Sequence, residues 1–157
     1  MVIHSYRKIH PFTHGGERAA FAAGTEAITV SIDGVRVTPF VCYDVRFADL
    51  FWEAASSTDV YVVSANWPEA RRRHWSALLA ARAIENQAFV IGCNRVGSGG
   101  GLTYVGDSAV LSPMGDVLAS AAEVQTTLLV DIDAARVAEV RAELPFAADR
   151  RPPLGSR

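Results

Sequence analysis

Short apolar runs that stop at polar clusters constrain this chain more than any other feature. Residues 35–42, 60–64 and 88–93 are strand-length and rich in β-branched and aromatic side chains. They are too continuously apolar for strands with one wet face. Amphipathic segments separate them. Phe47, Leu50, Phe51, Ala54 and Ala55 recur at i, i+3, i+4, i+7 and i+8, which predicts a helix over 46–57. Trp75, Leu78, Leu79, Ala83 and Ile84 predict another over 74–87. Strands alternating with helices in this way build a layered α/β fold. In such folds ligands gather at the carboxyl ends of the strands. Here those ends carry 42–46 (Cys-Tyr-Asp-Val-Arg), 64–68 (Ser-Ala-Asn-Trp-Pro) and 93–95 (Cys-Asn-Arg).

The remaining elements follow from turn chemistry. Residues 27–32 read as a strand closed by the hairpin turn Asp33-Gly34. Residues 98–101 (Ser-Gly-Gly-Gly) read as a flexible loop. Strands over 107–112 and 117–119 flank a turn at 113–116. A last strand is expected over 127–132 and a last helix over 134–144. The organisation is one domain, 1–149, with an extended tail over 150–157.

Composition narrows the function classes. The 157 residues carry a net charge of −2, so no global basic field attracts nucleic acid or an anionic membrane. No apolar run nears the roughly 18 residues of a membrane helix. Two cysteines, Cys42 and Cys93, do not make a disulfide framework, and the expected compartment is the cytoplasm. The basic residues are 14 Arg and one Lys, Lys8. A guanidinium serves most needs for surface charge but does not replace a compact ammonium.

Cys42 ends a strand just before a helix, where the macrodipole favours a thiolate and the next N–H faces an oxyanion. A buried core cysteine is the plain alternative at this position. Cys93, deep in an apolar strand, reads as core. His10, His14 and Glu17 invite a metal reading. Pro11, Gly15 and Gly16 break the helical spacing such ligands need, so no metal is expected. Arg71-Arg72-Arg73 reads as a solvated loop ahead of a helix, or as recognition of an anionic group. Gly99-Gly100-Gly101 lacks the residues that complete a phosphate loop. Arg46, one turn past Cys42, is open between ion pairing with Asp44 or Asp49 and clamping a carboxylate.

Eight segments in order resemble the carbon–nitrogen hydrolase (nitrilase) superfamily. They are 6–12 with Glu17, 40–47, 65–68, 74–75, 81–87, 94–97, 104–108 and 112–115. The Asn-Trp-Pro, His-Trp, Ala-Arg-Ala-Ile-Glu-Asn-Gln and Cys-Asn-Arg-Val-Gly runs are similar to the ω-amidase branch, which acts on 2-oxoglutaramate. The resemblance implies the C-terminal portion of an α-β-β-α sandwich. It implies Cys42 as nucleophile, Lys8 as the catalytic lysine, and Glu17 as a supporting glutamate. Tyr43, Arg46, Asn66 and Trp67 fall at substrate-binding positions. It implies a homodimer, a small-molecule amide substrate, and no metal or cofactor. The family's primary glutamate precedes the lysine motif, so the N-terminal strands and that base are expected to be missing from these residues. Uncovered sheet edges and an apolar face would follow. The implied reaction is hydrolysis of an ω-amide through a Cys thioester. N-carbamoyl amino acid or aliphatic amide hydrolysis, or a catalytically incomplete fragment or subunit, are the alternatives.

Overall fold

The computed structural model describes residues 4–151. Seven strands form one sheet in the order β1-β2-β3-β4-β6-β5, with β7 also paired to β6. The short helix α1 (Glu17–Ala20) precedes the sheet. β1 (Val30–Ile32) and β2 (Val35–Val41) form the expected hairpin about Asp33 and Gly34, both at positive φ. A 3-10 turn (Cys42–Arg46) leads into α2 (Ala48–Ala54). The helix expected over 46–57 is thus a shorter α-helix between 3-10 turns. β3 (Val60–Ala65), α3 (Arg72–Asn86) and β4 (Phe89–Asn94) follow, with β2, β3 and β4 parallel. β5 (Val96–Gly99), β6 (Leu102–Leu111) and β7 (Val117–Ala122) are antiparallel additions, and α4 (Ala135–Glu143) comes last.

The predicted mixed α/β layering holds, with helices packed on the sheet. Phe40, Tyr61, Val63 and Val90 meet Phe51 of α2 and Trp75, Leu79 and Ala83 of α3 in the main core. Among the described residues α4 alone packs on the opposite face, where Val137 meets Val60 and Phe89. Arg141 anchors α4 by donating to the carbonyls of Thr58 and Asn86 at 2.9 and 3.0 Å.

Three expectations change. Residues 98–101 are not a loose loop: β5 and β6 pair through them. Gly100 and Gly101, at φ +59 and +74, supply the left-handed conformations that close the hairpin. Residues 127–132 form no strand. A strand needs an edge to pair with, and this segment finds none; Leu129 is 90% exposed while Ile132 packs beside Val137. Cys93 is exposed rather than core. Gly92 faces α3, and strand alternation turns Cys93 to the less covered face. Arg150, assigned by the sequence to the tail, is held against the domain. Arg150 donates to Glu85 O and Asn86 Oδ1 at 2.7 and 3.0 Å and stacks over Trp52. Residues 152–157 lie outside the described residues.

Gly92 sets how closely α3 approaches the sheet. A Cβ there would stand 2.9 Å from the Trp75 ring, and closer still to a Leu79 methyl. Overpacking a dense core costs about 1–3 kcal/mol. Gly92→Ala is expected to lower the unfolding free energy by about that much, read from urea titration.

Candidate active site

The register of the parallel strands builds the site. Val41, Ser64 and Cys93 lie on one rung, so Cys42, Asn66 and Asn94 emerge side by side at the carboxyl ends. Cys42 takes φ +49, a left-handed conformation that a non-glycine residue adopts at some cost. The chain turns sharply there out of β2 into the 3-10 turn.

Asp44 holds this turn to the N-terminal segment. Its side chain is fully buried. Oδ2 accepts from the Val41 N–H at 3.1 Å and from the Tyr6 hydroxyl at 2.8 Å. Oδ1 accepts from the His10 N–H at 2.9 Å. Burial, then the Asp44 hydrogen bond and charge, hold the Tyr6 phenol well above its ordinary pKa, so it remains a donor. His10 stacks on Phe47 with centroids 3.6 Å apart. Lys8 lies midway between Tyr6 and His10 in the sequence, so both of its flanks are pinned.

Lys8 Nζ lies 2.9 and 2.7 Å from the two Glu17 carboxylate oxygens. The Phe12 N–H also donates to Glu17 at 2.8 Å. Burial raises the Glu17 pKa, but the Lys8 hydrogen bond, the Phe12 N–H and the Lys8 charge together hold it below the ordinary value. A carboxylate held this way is a poor proton acceptor. Burial pushes the Cys42 thiol up, against the Lys8 charge and the Asn66 backbone hydrogen bond, which favour the thiolate. The nearby Glu17 and Asp44 charges raise it further. Burial, the largest influence, thus holds Cys42 above the ordinary thiol pKa, and the element that follows it is a 3-10 turn rather than the expected helix.

Six of the expected site residues, Glu17, Cys42, Tyr43, Arg46, Asn66 and Trp67, line one cleft of about 590 Å³. Lys8 lines an adjoining cleft of about 450 Å³, and Glu17 borders both. Arg46 makes no ion pair among the described residues, because Asp44 is engaged elsewhere. Its guanidinium stacks 4.7 Å over Trp67 and lies 3.2 Å from His74 Nδ1, which must accept. Arg71-Arg72-Arg73 is not a solvated loop. Arg72 opens α3 and pairs with Asp107 at 2.9 and 2.8 Å, while Arg71 lines the cleft. Among the described residues no cluster of His, Cys, Asp or Glu has the arrangement of a metal site.

Sequence reasoning missed two supports. Asp44 was weighed only as a partner for Arg46. Asn94, nearly buried, accepts from the Trp67 N–H at 2.7 Å and donates to Trp67 O and Gly106 O at 3.1 and 2.6 Å. Its place at a strand end was the available signal. For Asp44 the signal was an acid between apolar residues two positions after Cys42.

Asp44→Asn would set an amide N–H₂ against a buried donor. A loss of about 1–3 kcal/mol in unfolding free energy is expected by urea titration. Lys8→Met, in a Cys93→Ser background, removes the charge that lowers the Cys42 thiol pKa. The thiolate fraction at fixed pH then falls. Iodoacetamide is expected to label Cys42 roughly 3- to 10-fold more slowly at pH 8, with the pH profile displaced upward.

Comparison with known proteins places the chain among relatives. Residues 1–142 match the family model described as carbon-nitrogen hydrolase. The chain is 43% identical over 149 residues to the omega-amidase YafV of Escherichia coli (strain K12), covering 94% of this chain and 58% of that one. It is 38% identical over 156 residues to the 2-oxoglutaramate amidase of Bacillus subtilis (strain 168), covering 98% and 60%. A crystal structure of XC1258 from Xanthomonas campestris, a CN-hydrolase superfamily protein with an arsenic adduct in its active site, superposes with a TM-score of 0.87. It shares 39% identity over 94% of this chain and 58% of that one. The chain thus spans about 58–60% of the length of these relatives. From the family match over residues 1–142, the chain belongs to the carbon–nitrogen hydrolase family.

Proposed function

We propose that this chain carries the nucleophile-bearing part of a cysteine amidase acting on a small ω-amide such as 2-oxoglutaramate. One observation carries the reading. Cys42 sits at a strained strand end, in a cleft that also holds Glu17 and Arg46, under the influence of the Lys8 charge. The relatives named as an omega-amidase and a 2-oxoglutaramate amidase support the substrate.

On this reading the chemistry runs as follows. The Cys42 thiol gives its proton to a carboxylate base, and its sulfur attacks the amide carbonyl carbon. Lys8 and the Tyr43 N–H face the oxygen on which charge develops, each worth about 3–4 kcal/mol. The C–N bond breaks, ammonia leaves with the proton returned by the base, and a thioester remains. Water, deprotonated by the same base, attacks the thioester and releases the carboxylic acid. Arg46 takes the substrate's distal carboxylate, and Asn66 and Trp67 shape the cleft. The scheme uses no metal or cofactor. A homodimer in the cytoplasm belongs to the same reading; the free thiols Cys42 and Cys93 suit a reducing compartment.

The Lys8–Glu17 pair favours a second reading. Glu17 is tied by Lys8 and Phe12, which leaves it ill-suited as the base. On that reading residues 1–157 hold substrate and nucleophile and take their base from further sequence or a second chain. Ammonia release from 2-oxoglutaramate separates the two. Cys42→Ala is expected to cut release by at least roughly 10³-fold while the chain stays folded. Release by residues 1–157 that depends on Cys42 would put the base within these residues, as Glu17 or from a second copy of the chain, and loss of that release in Glu17→Gln at a concentration where copies stay apart would assign it to Glu17. No release from folded chain, restored by the longer protein, would establish the second reading.

A further inference from the structure

The run Arg71-Arg72-Arg73 divides in the structure. Arg72 is neutralised by Asp107 and approaches Glu123 at 3.6 Å. Arg71 does neither: it makes no ion pair among the described residues. It ends the 3-10 turn Glu69–Arg71, and its side chain is directed to the Cys42 cleft. Its carbonyl accepts from Trp67 Nε1 at 2.8 Å, which fixes the backbone beneath it. Its guanidinium lies 5.8 Å from the Phe12 ring centroid. Phe12 in turn packs on Tyr43 at 4.8 Å and donates its N–H to Glu17.

Arg46 is seated in the same manner on Trp67. A guanidinium lying on an aromatic face can turn its N–H edges to a planar anion, and Arg46 has N–H groups left beyond the one that His74 accepts. The acid that lines the cleft, Glu17, is matched by Lys8. The cleft therefore presents two uncompensated guanidinium charges in a chain whose net charge is −2. Leaving two like charges in one cleft is unfavourable without an anion between them.

We propose that Arg71 is a specificity residue: with Arg46 it forms a two-guanidinium receptor for the carboxylate end of an ω-amide substrate. The inference rests on the reading of Cys42 as nucleophile of the same cleft. It adds a second binding group on a separate element, the turn before α3. Arg46 grips the carboxylate; Arg71 meets its outer oxygen or an acceptor next to it. A neutral amide of the same length gains nothing from either.

The test is calorimetric titration of the Cys42→Ala chain with succinamate and with butyramide, its neutral counterpart. Arg71→Gln is expected to weaken succinamate binding by about tenfold and to leave butyramide within about twofold. Arg71→Lys, which keeps the charge but not the fork, is expected to fall between. Equal weakening of both ligands would make Arg71 a mere support for Phe12 and overturn the proposal. Unchanged succinamate binding, or no preference for succinamate over butyramide in the parent chain, would overturn it too. The ammonia assay fails separately. Arg71-dependent succinamate binding with no Cys42-dependent release, from this chain or from the longer protein, would sink the amidase reading and leave the receptor. Release with a KM for succinamate unmoved by Arg71→Gln would sink the receptor alone.

Discussion

The buried carboxyl of Asp44 joins two pieces of chain that nothing else ties so directly. One is the irregular segment around Lys8; the other is the turn that exposes Cys42. Its three donors come from Tyr6, His10 and Val41. A segment without helix or strand has no ladder to fix it, so its place depends on side-chain bonds of this kind. An unpaired acceptor at zero exposure would be costly, so the bonds form together or not at all. The position of the lysine relative to the thiol is therefore a consequence of one acid two residues past Cys42.

With the two groups in place, the electrostatics are a contest. Burial and the neighbouring carboxylates favour the thiol; Lys8 and the Asn66 N–H favour the thiolate. Burial prevails, which favours the thiol over the thiolate. Glu17 is close enough to be felt, yet Lys8 holds it as a low-pKa carboxylate. Its two oxygens, 2.9 and 2.7 Å from Lys8 Nζ, hold the ammonium in position. The same pair leaves the cleft's arginines without an internal counter-ion, which suits an anionic ligand better than a neutral one.

The cleft's far wall rests on hydrogen bonds to the backbone around Trp67. Asn94 holds both the N–H and the carbonyl of Trp67, and Trp67 holds the Arg71 carbonyl. Arg46 then lies on the indole face. A chain of fixed partners runs from the end of β4 to both arginines, and rigid placement is what a charged fork needs to recognise a planar anion.

The sequence by itself determined the α/β layering, because apolar runs and helical periodicity are local signals. It also marked Cys42, and it set Lys8 apart as the one residue of its type. The ordered motifs carried the family resemblance. Tertiary structure decided what depends on pairing and facing. Residues 127–132 have a strand-like composition but no edge to join. Gly100 and Gly101 close a hairpin because β5 and β6 find each other. Cys93 turns outward because Gly92 must face α3. Arg71 and Arg72 are adjacent and chemically identical in sequence. Only the fold gives one of them an acid partner and directs the other into the cleft, since a long side chain's environment is set by distant residues that pattern and propensity do not locate.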